Sequence, residues 1–380
     1  MGFETIAKSE TELWMEYADQ FPVRDRLIYL NHAAVSPLCR PAAEAMRKFA
    51  AEAMELGSLN YDHWLETYEG LRQSAARLMG AHRNEIALMK NTSESISTVA
   101  NGIRWHAGDK IVAFREEFPS NYYPWKRLEA TGANVEWLSC FDPLDRLDEA
   151  CRGARLLAIS FVQYLSGYRA NLDAIGEICH RRGCIFLVDA IQGLGAFPLD
   201  VRRAHIGALA ADGHKWMLGP EGCAVLFVSQ ELQDSIDPHE FGWTNVALYA
   251  DYASRDMTLR SDAGRYECGS LNTIGCYGLR ASLDLLLRVG VDAVGAAVGK
   301  LGDAIAEGVQ ARGYEVLGDR ANGHGAGIVS FRKAGFEAPD LVDRLRAAGV
   351  TAAPRQGWVR TSPHFYIGPD EIGKLLEALP

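Results

Sequence analysis

Between residues 85 and 230 the sequence alternates short apolar runs with stretches of helical spacing, and this alternation limits the fold more than any other feature. The runs are 86-IALMKN, 110-KIVAFRE, 134-NVEWLS, 156-LLAISFVQ, 184-CIFLVDA and 223-CAVLFVS. Between them lie 93-SESISTVANGIRW, 123-YPWKRLEATG and 171-NLDAIGEICHRRG, whose apolar positions recur at helical intervals. Aliphatic strands of this length, separated by helices, predict βαβ units in an α/β fold with a mainly parallel sheet. Such open sheets bind ligands beyond the carboxyl ends of their strands. The residues that follow each run are therefore the ones to read for chemistry.

Composition narrows what that chemistry acts on. The net charge is −10, and no basic cluster stands out, which argues against nucleic acid or an anionic membrane as partner. No apolar run approaches the ~20 residues that span a bilayer. The opening MGFETIAKSETELW lacks a basic segment followed by an apolar one, so a cytoplasmic protein is expected. The eight cysteines form no C-x-x-C pair. Cys179 and Cys184 flank a basic turn without a second ligand pair at metal-like spacing, and reduced, mostly buried thiols are expected.

Polar and aromatic residues collect at one predicted edge of the sheet: Thr92-Ser93 after the first run, 117-EFPSNYYPW after the second, 164-YLSGYR after the fourth and Asp189 ending the fifth. Then comes 211-ADGHKWMLGP-220, where Lys215 sits among glycines and aromatics with no glutamate at helical spacing. No P-loop, dinucleotide fingerprint, H-E-x-x-H or G-x-S-x-G is present. What remains suits pyridoxal 5′-phosphate (PLP). Its aldehyde needs a shielded lysine amine, its ring nitrogen a carboxylate, its phosphate a helix N-terminus with hydroxyls, and its ring face an aromatic.

Taken in order, 28-IYLNHAAVSP, 84-NEIALMKNTSESI, 117-EFPSNYYPW, 187-LVDAIQG, 211-ADGHKWMLGPEG, 265-RYECGSLN and 359-VRTSPHFYI resemble the class V aminotransferases, which are fold-type I PLP enzymes. The resemblance is to the isopenicillin N epimerase-like and cysteine desulfurase-like branch. It implies a large PLP-binding domain at residues 30–284, a smaller α+β domain at 285–380, and an N-terminal segment, 1–29, packing with the small domain. It implies Lys215 as the Schiff-base lysine, Asp189 as the pyridinium partner and Gln192 near the phenolic oxygen. Thr92, Ser93 and His214 match phosphate ligands, and Phe118 the aromatic over the ring. Ser270 and Asn272 match a segment that completes the phosphate site of a neighbouring subunit, so a homodimer is implied. Arg360 matches the arginine that grips the substrate α-carboxylate, for which a bidentate guanidinium is well shaped.

Other uses of these residues stay open on sequence alone. Thr92 and Ser93 also suit helix capping, Phe118 core packing, His214 packing against Trp216, and Arg360 an ion pair with Asp370 or Glu371. The chain departs from desulfurases at Asp212, where those enzymes place a serine. It departs again in 349-GVTAAPRQGWVR-360, which holds no nucleophilic cysteine. The activity implied is α-carbanion chemistry on an amino acid, aminotransferase-like, with epimerisation, C–S or β-lyase chemistry, or a non-catalytic PLP-binding module as alternatives. Tyr164, His32 and Tyr123 are candidates for a second acid.

Overall fold

The apolar runs pair into one seven-stranded sheet in the computed structural model, which describes residues 13–380. A short strand β1 (Ile28–Tyr29) comes first. The sheet is built from β2 (Ile86–Met89), β3 (Lys110–Phe114), β4 (Asn134–Leu138), β5 (Ala154–Ser160), β6 (Ile185–Asp189), β7 (Ala208–Asp212) and β8 (Ala224–Val228). Their spatial order is β2-β8-β7-β6-β5-β3-β4. Only β8 runs against its neighbours, pairing antiparallel with β7 and β2. The last residues of β2, β3, β5, β6 and β7 therefore share one edge.

β7 was not among the predicted strands. Its sequence, ALAAD, carries no β-branched residue, and alanine has low strand propensity. All five residues are buried, and the small side chains let the helix Thr92–Gly102 pack closely over the strand. Burial between two strands and under a helix overrides the local preference here.

The helices Arg40–Leu56, Tyr61–Met79 and Thr273–Val289 pack on one another. After the helix Val291–Gln310 comes a second, antiparallel sheet of β9 (Glu315–Val316), β10 (Val329–Arg332), β12 (Ala353–Arg355) and β13 (Trp358–Thr361), in the order β12-β13-β10-β9. Strand β11 (Val350–Thr351) instead pairs in parallel with β1. Residues 13–31 run against this C-terminal part: Phe21 stacks on Tyr366 with centroids 3.7 Å apart, and Arg24 pairs with Glu371 at 3.0 Å. Residues 1–12 of the expected N-terminal segment lie outside the described residues. Among the described residues no helix is long and apolar enough to cross a membrane.

Candidate active site

Lys215 stands in a turn that leaves the carboxyl end of β7 and is closed by a hydrogen bond from Gly219 N to Gly213 O of 2.9 Å. Gly213 is needed here. A Cβ on it would lie 2.9 Å from Cys223 O and 2.7 Å from Leu279 Cδ1. Trp216, Met217 and Leu218 behind the lysine are fully buried. Gly195, at φ +91°, accepts the turn's backbone so closely that a Cβ would stand 2.5 Å from Trp216 O. His364, also fully buried, places Nε2 3.1 Å from that same carbonyl. The lysine is thus held on a rigid loop. Its ammonium is disfavoured: burial is the main cause, Arg360 and Arg355 add to it, Asp189 and Asp212 oppose it, and the pKa falls to about 8.

Asp189 ends β6 and is almost wholly buried. One carboxylate oxygen accepts from Ile191 N at 3.1 Å. Burial pushes its pKa up to about 6, against the pull of that N–H and of Lys215. A carboxylate left in this state among apolar strands needs a cationic partner. Glu117, which sequence reading passed over, is a second buried acid beside it. Ser160 N donates to Glu117 at 2.6 Å and the Ser160 hydroxyl also bonds to it. Burial and the like charge of Asp189 lift its pKa to about 8 despite the Ser160 bonds, so it stays protonated at neutral pH. The available signal was an acid just after a strand, the same signal that marked Asp189.

The helix Thr92–Gly102 starts at the same edge. Asn91 caps it, its side chain accepting from Glu94 N at 2.9 Å. The capping role left open for Thr92 and Ser93 therefore belongs to their neighbour, which frees both hydroxyls. Thr92 Oγ1 accepts from Asp212 N at 3.0 Å and keeps its own proton to donate, while Ser93 Oγ lies 2.7 Å from Ser120 Oγ on the exposed side. His214 Nδ1 is 2.9 Å from Asp212 Oδ1, but at an angle that leaves both atoms without a proper hydrogen bond. Asp212 is thereby turned toward His214 and Lys215.

Gln192 is buried and oriented unambiguously: Trp216 Nε1 donates to its Oε1 at 2.9 Å, and its Nε2 donates to Ala33 O at 3.0 Å. Phe118 is 44% exposed, which removes the core-packing alternative. Its ring centroid is 5.7 Å from Lys215 Nζ, and Tyr164 meets it edge-on at 5.3 Å. Arg360 comes from β13 and is buried. Its Nη1 donates to Tyr164 O at 2.8 Å, and Ser330, opposite it on β10, donates to Leu165 O at 2.6 Å. These two bonds fasten the second sheet to the loop after β5. Arg360 Nε has no partner, and Glu371 is taken by Arg24. Among the described residues the guanidinium pairs with no carboxylate, so an ion pair with Asp370 or Glu371 is not formed. Burial, with Arg355 nearby, lowers its pKa to about 10, so it stays charged at neutral pH. A cavity of ≈ 560 Å³ lined by Glu117, Tyr123, Tyr164 and Gln356 adjoins this cluster.

The family model for aminotransferase class-V matches residues 28–357. The chain belongs to that family. It is 30% identical to a probable cysteine desulfurase of Methanothermobacter thermautotrophicus, over 93% of this chain and 94% of the relative. It is 26% identical to the uncharacterized aminotransferase YcbU of Bacillus subtilis, over 96% of each. Among solved structures it resembles the apo cysteine desulfurase of Thermococcus onnurineus NA1, with a TM-score of 0.88, 27% identity and 96% coverage of both chains.

Class-V enzymes use pyridoxal phosphate, and the residues here fit it. A buried carboxylate with an oxygen to spare, a lysine of lowered pKa, two hydroxyls at a helix N-terminus that do not cap it and an aromatic face all meet at one sheet edge. Ser270 and Asn272 stand apart from this cluster. Ser270 is exposed, and Asn272 caps the helix Thr273–Val289 through Gly275 N and donates to Gly222 O at 2.9 Å. The segment before them is anchored by Glu267, which is buried, paired with Arg72 through two 2.8 Å bonds and accepting from Leu88 N. His32 is excluded as a second acid: Nδ1 faces Ser362 O at 2.8 Å, Nε2 faces Tyr366 O–H at 2.6 Å, and burial holds its pKa well below the usual value. Tyr123 is 65% exposed, whereas Tyr164 lines the site and receives Gln356 Nε2 on its hydroxyl at 2.8 Å.

Proposed function

We propose that this enzyme cleaves the Cβ–S bond of a sulfur-bearing amino acid and releases the sulfur in a small product, without passing it to an enzyme cysteine. The observation that carries this is the thiol-free site. The hairpin formed by β12 and β13, which leads to Arg360, contains no cysteine, and the last cysteine of the chain is Cys276, buried in the helix Thr273–Val289. The desulfurase names of several relatives favour sulfur chemistry over the transamination and epimerisation readings.

When bound, PLP supplies an electron sink for negative charge developing at the substrate Cα. Lys215 is the residue that would hold it covalently, Asp189 its ring nitrogen, Thr92, Ser93 and His214 its phosphate, with Phe118 over the ring and Gln192 at the phenolic oxygen. Arg360 binds the substrate α-carboxylate through donors left free by its single bond to Tyr164 O. Lys215, with a pKa near 8, would take the Cα proton onto Nζ. Asp189 would hold its negative charge toward the bound ring, and this charge would favour the step in a water-poor setting. The Cβ–S bond would then break with the electron pair leaving on sulfur, which takes up a proton, and one water would convert the rest of the substrate to a 2-oxo acid and ammonia.

The division at residues 30 and 285 belongs to this reading, as do a cytoplasmic location and a homodimer in which Ser270 and Asn272 reach the partner's phosphate site. Exposed aromatics near Ser270 support the dimer: Tyr61 and Trp243 are each 40% exposed and border the same ≈ 290 Å³ cleft. The test is incubation of holoenzyme with cysteine, cystine and sulfur-free amino acids, followed by mass spectrometry. A 2-oxo acid with a small sulfur product is expected. Alanine with a persulfide on one of the eight thiols, or conversion of the cofactor to its amine form, refutes it.

A further inference from the structure

Cys151 meets Cys179 and Cys184, which lie 28 and 33 positions further along the chain, at the opposite end of the sheet. Cys151 follows the helix Leu144–Ala150, Cys179 lies within the helix Leu172–Arg182, and Cys184 directly precedes β6. Their sulfurs all lie within 4.8 Å of one another. Cys151 and Cys179 are fully buried and Cys184 is 7% exposed. Asp189 is at the other end of β6, five residues from Cys184 and so about 16 Å away at ~3.3 Å per residue, and the cluster is separate from the Lys215 site. Spacing in the sequence did not reveal it, because Cys151 is brought to the other two only when the two helices pack together.

We propose that Cys151, Cys179 and Cys184 form a three-coordinate, all-sulfur site for a soft monovalent ion of the copper(I) class. Sulfur donors select soft ions. Metal–sulfur bonds are about 2.3 Å, so three sulfurs around one ion in a plane stand about 4.0 Å apart, within reach of small side-chain adjustments here. No histidine, carboxylate or fourth cysteine joins the group among the described residues. Zinc, which takes four ligands in closed protein sites, is poorly served, whereas a d¹⁰ monovalent ion is content with two or three. Thiolates are the ligating form, so loading with one monovalent ion releases three protons and leaves a net charge of −2, with Lys110 as the nearby cation. No electron is transferred.

The test is an anaerobic titration of the PLP-loaded enzyme with copper(I), in competition with bicinchoninate as chromophoric chelator. Wild type is expected to withdraw one equivalent and to show only sulfur neighbours in X-ray absorption. Cys151→Ser and Cys179→Ser should weaken uptake at least tenfold while leaving the cofactor absorption band unchanged. Cys223→Ser serves as control, because Cys223 Sγ and Cys276 Sγ form another close pair at 3.9 Å, and it should retain uptake. Loss of uptake in Cys223→Ser instead, equal uptake by wild type and Cys179→Ser, or nitrogen or oxygen neighbours on the bound ion would overturn the proposal. The absorption spectrum of wild type alone decides the matter if a serine variant fails to fold.

Discussion

Replacing Asp189 with asparagine should make the apoprotein more stable and the holoenzyme far slower. The carboxyl is buried and its pKa is raised from 3.8 to about 6. A carboxyl whose folded pKa lies above its unfolded one binds a proton more readily when folded, so stability is lost as pH rises from about 4 to 6. Above pH 6 the full cost applies, roughly 2 units at 1.36 kcal/mol each, or about 3 kcal/mol. Asp189→Asn removes that cost together with a smaller favourable interaction with Lys215. Urea unfolding of the apoprotein should therefore show the variant more stable at pH 7.5 by up to about 3 kcal/mol, and by roughly half as much at pH 5. In the holoenzyme the missing charge can no longer hold the ring proton. Exchange of the substrate α-proton in deuterated water should slow by ~10²–10³, typical for loss of a preorganised electrostatic group. A variant less stable than wild type by the same amount at both pH values would refute the account of Asp189 as a carboxylate kept under strain for a cationic ring.

Lys215→Ala should abolish the borohydride-reducible cofactor adduct, and peptide mapping of the reduced wild type should find the label on Lys215; a label on any other lysine sinks the assignment. Arg360→Lys keeps charge but loses the two-pronged geometry, so KM should rise by about tenfold or more with a smaller fall in kcat, and an unchanged KM would remove its role. Glu117→Gln should be well tolerated, its amide oxygen accepting from Ser160 N. Because wild-type Glu117 is raised to about 8, wild type should lose stability relative to the variant as pH climbs from about 5 to 8. A stability difference that stays flat with pH would show that Glu117 is already ionised.

Most of the large sheet was legible because its strands are aliphatic runs separated by helices, and the residues at their carboxyl ends could be read in order. Lys215, Asp189 and Thr92 came from that reading and Phe118 from the family resemblance, and they meet at one edge. β7 escaped it because ALAAD has neither β-branched residues nor alternation. Glu117 escaped although it too follows a strand, because that position alone does not tell a buried acid from a solvated one. His32, one of three candidates for a second acid, drops out only in the fold, where both its nitrogens are bonded to Ser362 and Tyr366.

By itself the sequence determined the class of fold and the kind of cofactor, and it pointed to the residue types proposed for the cofactor's reactive ends, since each depends on periodicity or on chemistry carried by one residue. Tertiary structure decided what those residues can do. Burial and neighbouring charges set the Lys215 amine near 8 and Asp189 near 6. Docking of the second sheet on the loop after β5 brought Arg360 in, unpaired, from 145 positions beyond Lys215. Packing of two helices drew three separate cysteines into one cluster. Desolvation and proximity belong to the folded chain as a whole, and no local stretch of sequence encodes them.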